Sequence, residues 1–191
     1  MSEQQETYDH LMVDIETLST GSCAVITSIA AVPFNMGVLS GQGKAFYEKV
    51  DIDSSLSRGM NVSGSTLRWW FDQPHEAQQA MLANAQPLED VLALLEKYVT
   101  DHYSAELQVW CNGLSFDFPR LKDAFDLCDR SLPWEYWQER DMRTIVSLAP
   151  KVKEAYARRG TPHNALDDCY NQIRLLRGCM AHISVNVWPL V

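Results

Sequence analysis

The chain has 191 residues, 46% hydrophobic and 21% charged, enough for one domain with a sizeable core and too apolar for a disordered segment. A net charge of −9 argues against a protein that grips nucleic acid by bulk electrostatics, since such domains are usually basic. The five cysteines include no Cys-x-x-Cys pair, which argues against a disulfide framework or zinc site and fits reduced thiols in the cytoplasm.

The polar, acidic start, Met1 to Glu6, carries no signal-peptide pattern. No apolar run reaches the length of a membrane span, so no membrane partner is expected. Tyr8 to Asp14 reads as a central strand ending in the acidic pair Asp14 and Glu16, and Val25 to Phe34, closing at Pro33, as a second. The glycines between Asn35 and Gly43 signal a turn. Ala45 to Val50 then completes an antiparallel meander. Asp51 to Gly64, rich in Ser, Gly and Asp, reads as a loop.

Helical patterns begin at Ser65. Pro74 opens a helix over His75 to Asn84, and Pro87 opens one over Leu88 to Tyr103, with Val91, Leu94, Leu95 and Tyr98 at helical spacing. Leu107 to Cys111 reads as a fourth strand and Phe118 to Leu127 as a helix with Leu121 and Phe125 on one face. A fifth strand is placed at Trp134 to Trp137 and a helix over Met142 to Leu148, stopped at Pro150. The last helix runs from Ala165 to Ala181. No repeat, low-complexity tract or linker interrupts the chain, so residues 1–191 read as a single α/β domain.

Four carboxylates and a histidine stand out: Asp14 and Glu16, Asp117, then His163 and Asp168. Residues i and i+2 of a strand share a face, so Asp14 and Glu16 project together, and two such carboxylates are tolerable only with a cation or proton between them. The alternative is a solvated strand end. Asp117 starts a helix after Asn112-Gly113, where an N-cap role and a metal-site role are compatible. On the last helix Leu166, Cys169, Ile173, Leu176 and Met180 form the apolar stripe, and Asp167, Asn171 and Arg174 the opposite, polar side. Asp168 lies on the flank with Gln172 and Leu175, nearer the protein body. Asp167 is therefore expected toward solvent and Asp168 as the ligand. His163 is suited to taking a proton from an attacking water, although alone it would read as an ordinary loop residue. Hard cations such as Mg²⁺ or Mn²⁺ prefer this kind of oxygen-rich donor set.

Lys151, Lys153, Arg158 and Arg159 form a basic segment before His163, read as a solvated surface with a phosphate contact by one of them as the alternative. Adjacent Trp69 and Trp70 cannot share a helix face. One is expected in the core and the other, with Trp69 the candidate, along the path of a strand whose bases it stacks.

The set Asp14-x-Glu16-Thr17, Asn112…Phe116-Asp117 and His163-x-Ala165-x-x-Asp168 resembles the signature of the DEDDh, or DnaQ-like, 3′–5′ exonucleases. Trp110-Cys111-Asn112-Gly113 and the Trp69-Trp70 pair are more similar to the subgroup of phage exonuclease A and RNase AS. The resemblance spans about residues 9 to 178, and none of the signature residues departs from it. It implies a ribonuclease H-like fold with a mixed five-stranded sheet flanked by helices. It also implies two metal ions, one held by Asp14, Glu16 and Asp168, the second bridged by Asp14 with Asp117 nearby, and His163 as general base. Thr17 and Leu18 match positions that contact the terminal nucleotide in relatives, and Asn112 joins them as a candidate substrate contact.

The expected activity is release of nucleoside 5′-monophosphates from the 3′ end of single-stranded RNA or DNA. The runner-up is a non-catalytic binding module or subunit with the same fold, which would be expected to have lost one of the five residues. Hydrolysis of a small nucleotide is a third reading with the same site. A homodimer is also expected, because the apolar segment Val185 to Val191 and six tryptophans exceed what a small domain readily buries.

Overall fold

The computed structural model describes residues 8–37, 42–102 and 106–186. Strand β1 (His10–Thr17) lies at the centre of the sheet, and its sequence says why. Leu11, Met12, Val13 and Ile15 are all buried, which a strand covered on both faces requires. Strand β2 (Ile26–Phe34) pairs antiparallel with β1 and with β3 (Phe46–Lys49). On its other side β1 runs parallel to β4 (Gln108–Cys111), and β4 runs parallel to β5 (Glu139–Asp141). The order β3-β2-β1-β4-β5 is the mixed five-stranded sheet expected.

Two helical layers cover it. Leu11, Val13 and Ile15 face a core built with α4 (Leu88–His102) and α5 (Asp117–Leu127), through Leu88, Val91, Leu92, Leu95, Leu121 and Phe125. Met12, Ala30, Val32 and Phe34 face the opposite core, with α6 (Met142–Ser147) and the long α8 (Ala165–Asn186). Cys169, Ile173 and Leu176 of α8 are fully buried there, as their spacing requires. The described cysteines are all free. Among the described residues, no helix is long and apolar enough to cross a membrane.

Several sequence expectations are corrected. Asp51 to Gly64 is not a loop: Asp51 caps a short helix, accepting from the Ser54 N–H at 2.8 Å, and the helix runs Ile52–Ser57. That helix is α1; α2 (Gly64–Phe71) follows and carries both tryptophans, and α3 (His75–Leu82) comes next. The fifth strand is Glu139–Asp141, because Tyr136–Gln138 closes a 3₁₀ turn with Glu135 and Gln138 as a capping box. Pro150 does not only end a helix; it opens α7 (Pro150–Ala155) as its first residue, where a missing N–H costs nothing. Pro33 sits within β2 rather than closing it. Pairing with β3 involves only Ser28 to Ala31, so the proline lies where one side of β2 is unpaired by that strand. Val185 is exposed, while residues 187–191 of the segment expected at a dimer contact, and Tyr103, the expected end of the helix from Leu88, lie outside the described residues.

Candidate active site

β1 continues past its last pairing with β4, Met12 with Trp110, and this overhang positions the acidic pair. Asp14 and Glu16 therefore lie within the strand rather than at its end. Period-two alternation turns them, like Met12, toward α8, while Val13 and Ile15 go to the other core. The carboxylate of Asp117 accepts hydrogen bonds from the Ile15 backbone N–H and from its own. Asp117 is the first residue of α5, following the cap position held by Phe116, so it is not the N-cap.

His163 and Asp168 come from the far end of the chain. Asn164 caps α8, its Oδ1 accepting from the N–H groups of Leu166 and Asp167 at 3.1 and 3.2 Å. One helical turn on, Asp168 reaches the site. His163 precedes the cap with φ +60°, a left-handed conformation that costs about 1–2 kcal/mol for a residue with a Cβ. One ligand atom each from Glu16, His163 and Asp168 lies within 4.8 Å of the others. Asp14 and Asp117 stand beside this trio, close enough to act electrostatically on it.

The electrostatics are those of an anionic cage. Burial, then Asp117 and Glu16, raise the Asp14 carboxyl well above the ordinary range, against a 2.6 Å hydrogen bond donated by Gln172 Nε2 to its Oδ1. Burial and Asp117 push Glu16 up to about 8. Burial raises Asp117 to about 6, opposed by its two backbone hydrogen bonds and by Arg143. Arg158 enters this cage and pairs with Asp168 Oδ1. Burial and Arg158 lower the pKa of His163, keeping its imidazole neutral at physiological pH. Clustered carboxylates, a neutral imidazole and an otherwise unpartnered buried Gln172 Oε1 are a donor set that fits divalent cations.

Two cavities flank the acidic centre. One, of about 360 Å³, is lined by Glu16, Thr17, Thr20, Thr66, Trp69 and Phe116. Trp69 is 42% exposed on it, while Trp70 is buried and donates its indole N–H to the Thr17 carbonyl at 2.9 Å, dividing the pair as the helix geometry requires. Buried Arg120 ties the walls together. Its guanidinium donates to the carbonyls of Ser115, Phe116 and Thr20 and lies 4.0 Å from the centre of the Phe116 ring. The other cavity, of about 790 Å³, reaches from Asp14 and Asp168 past Asn112 to α6 and α7.

Two expected substrate contacts are displaced. The Leu18 side chain is 2% exposed in the core and its N–H and carbonyl serve Val25 and Ser63, so it supports the smaller cavity without lining it. Asn112 lines the larger cavity rather than the one with Thr17 and Trp69. Nor is Asp167 a free solvent residue. It accepts the Thr161 N–H at 2.8 Å and packs so close to Gly160 that a Cβ there would come within 2.6 Å of the carboxylate, at a φ of +80° that itself favours glycine, thereby bracing the loop that carries His163. Asn171, also placed on the polar side, is buried beneath the α7–α8 connection, bonded to Tyr156 and Arg159. Neither Gln172 nor Arg120 is a candidate site residue in the sequence reading, and Phe116 enters it only as part of the signature around Asp117. Only Gln172 had a signal, sharing the flank of Asp168 one turn away.

Residues 9–180 match the model of the Rv2179c-like 3′–5′ exoribonuclease domain. An exodeoxyribonuclease of Enterobacteria phage T4 is 24% identical over 196 residues, covering 87% of this chain and 86% of the phage protein. The nuclease domain of 3′hExo, a DEDDh family member solved with rAMP, superposes with a TM-score of 0.61 at 15% identity, covering 94% of each chain. Exonuclease X, solved with 5′-overhanging duplex DNA, gives 0.56 at 20% identity, covering 94% of this chain and 93% of its own.

Proposed function

The chain belongs to the Rv2179c-like 3′–5′ exoribonuclease domain family, and from that premise we propose that it trims single-stranded RNA or DNA from the 3′ end by two-metal-ion hydrolysis. It is a DEDDh nuclease with a ribonuclease H-like fold, and enzymes of this kind generally depend on divalent metals. The observation that carries the finer reading is the convergence of Glu16, His163 and Asp168 beside Asp14 and Asp117, from β1, α5 and the start of α8.

Asp14, Glu16 and Asp168 would hold one Mg²⁺ or Mn²⁺ ion, and Asp14 would share the second with Asp117. Bound there, the two cations would polarise the scissile phosphate and offset charge on the attacking and leaving oxygens. His163, neutral and partly exposed, accepts the proton of the attacking water. Trp69 and Phe116 close the smaller cavity around the 3′-terminal nucleoside, and Thr17 lies at its floor beside Glu16. The terminal phosphodiester then lies over the carboxylates, and the product is a nucleoside 5′-monophosphate.

The test is digestion of 5′-labelled single strands of RNA and of DNA with Mg²⁺ or Mn²⁺. A ladder shortening one nucleotide at a time from the 3′ end supports the proposal, and the faster sugar names the natural substrate. Internal cuts, or loss of the 5′ label as the first product, would overturn it.

A further inference from the structure

We propose that the 790 Å³ groove between α6, α7 and α8 is the track for the nucleotides upstream of the scissile bond, with Arg143 and Lys153 binding their phosphates. The inference rests on the 3′-exonuclease reading above and deepens it. The two cavities share the acidic centre: Glu16 lines one, Asp14 and Asp168 the other. A strand whose last nucleoside fills the smaller cavity must leave across those carboxylates, and the groove is the concave surface on the far side.

Beyond Asp14 and Asp168 at its acidic end, the groove is lined by cations and by no carboxylate. Some cations of this acidic chain are neutralised by carboxylates, as in Arg58–Glu89, Lys97–Asp101, Lys122–Asp126 and Arg130–Glu96. Among the described residues, Arg143 and Lys153 have no carboxylate within ion-pair distance, and both line the groove. Arg158 lines it too, at the junction with the metal site, where it pairs with Asp168.

The placement of Arg143 is built in. Gly113 has φ +128°, and a Cβ there would come within 3.0–3.3 Å of the Arg143 guanidinium. The glycine thus opens the space in which the guanidinium lies over the Asn112-Gly113 turn, at the end of β4. Asp141 anchors the other side by accepting the Arg143 backbone N–H as the cap of α6, not by pairing with its guanidinium. Lys153 faces the groove from the last turn of α7. An acidic protein thereby offers an anionic strand a locally cationic channel, where field matters more than net charge.

The experiment is a fluorescence-anisotropy titration in Mg²⁺ with a ten-nucleotide single strand whose 3′-terminal linkage is a phosphorothioate, repeated over a range of salt. Lys153→Gln and Arg143→Gln should each weaken binding by roughly three- to tenfold and flatten the slope of log affinity against log salt by about 0.7, the value for one phosphate contact on a single strand. Lys122→Gln, on the exposed face of α5, should change neither. Lys153 touches no catalytic group, so its variant keeps the test valid if Arg143→Gln fails to fold. Unchanged affinity and slope in Lys153→Gln, or an equal loss in Lys122→Gln, would overturn the groove assignment. With wild-type 3′ trimming intact, that result would leave the proposed function standing; absence of trimming would instead remove the function itself.

Discussion

The indole of Trp69 meets the imidazole of His163 edge to face, with centroids 4.6 Å apart and planes at 82°. One side chain therefore lines the cavity proposed for the terminal nucleoside and packs on the ring of the proposed base. His163→Ala should lower turnover on the order of 100-fold with little change in strand affinity, since a general base acts in the transition state. Trp69→Ala should raise KM and lower kcat together, each by roughly tenfold, because a stacked base and an oriented imidazole are both lost. Trp69→Phe should recover most of kcat. A Trp69→Ala enzyme altered in KM alone would show that the contact does not position His163.

Arg158 pairs with Asp168 inside the anionic cage, so its removal should act in opposite directions on metal and substrate. Its pair with Asp168 is partly exposed, with Arg158 44% and Asp168 13% open to solvent, and is worth at most about 1 kcal/mol. Arg158→Ala should therefore bind Mn²⁺ up to about fivefold more tightly by calorimetry, while its KM for a single strand rises by a similar factor. Weaker Mn²⁺ binding would mean that Arg158 supports the metal site instead of competing for it.

The raised carboxyls make a pH prediction for the metal-free protein. Glu16 ordinarily titrates near 4.5 and here near 8; Asp117 ordinarily near 3.8 and here near 6. Between those values the folded state holds protons that the unfolded chain has lost, so stability falls as pH rises. Melting temperature in chelator should drop between about pH 5 and pH 8 and level off above. Mn²⁺ should raise it most at the alkaline end, where the carboxylates are charged, and Asp14→Ala should melt at or above wild type when metal-free. A melting temperature that climbs from pH 5 to 8 in chelator would contradict the cage.

Much of this site was legible in the sequence, and what was missed has physical reasons. Strand alternation placed Asp14 beside Glu16, and the helical wheel separated Asp168 from Asp167, because both depend only on local periodicity. The wheel could not show that Asp167 holds the Thr161 N–H, since that bond depends on how the preceding loop folds back. Leu18 matches by its position after the acidic pair, but the chain turns back at Ser22-Cys23, the Leu18 N–H bonds to the Val25 carbonyl, and the side chain lies in the core. In the sequence Arg158 is one charge in a basic run. Its partner lies across a left-handed turn at His163 that no periodicity encodes. Short elements were the other loss: Asp51 capping one turn and a half of helix looks, in composition, like a loop.

Asp168→Asn and Asp167→Asn separate the proposed ligand from the brace. The first should lose about 100-fold or more in turnover, since one charge is removed from the metal cage. The second keeps an oxygen for the Thr161 N–H and should stay within about threefold of wild type, while Asp167→Ala, which leaves that N–H without its acceptor, should lose more. Equal losses in the two asparagine variants would place both carboxylates at the metal.

The most direct measurement is turnover of a 5′-labelled single strand in excess EDTA, followed by titration with Mg²⁺ or Mn²⁺ past the chelator. Five acidic and imidazole groups converge, and the Cys111 thiol that bonds to Asp117 is kept protonated by burial and by that carboxylate, so it offers no covalent route in place of the cations. The account predicts no detectable shortening in chelator and full recovery of the 3′-end ladder once free metal is present. Undiminished shortening in EDTA would contradict it.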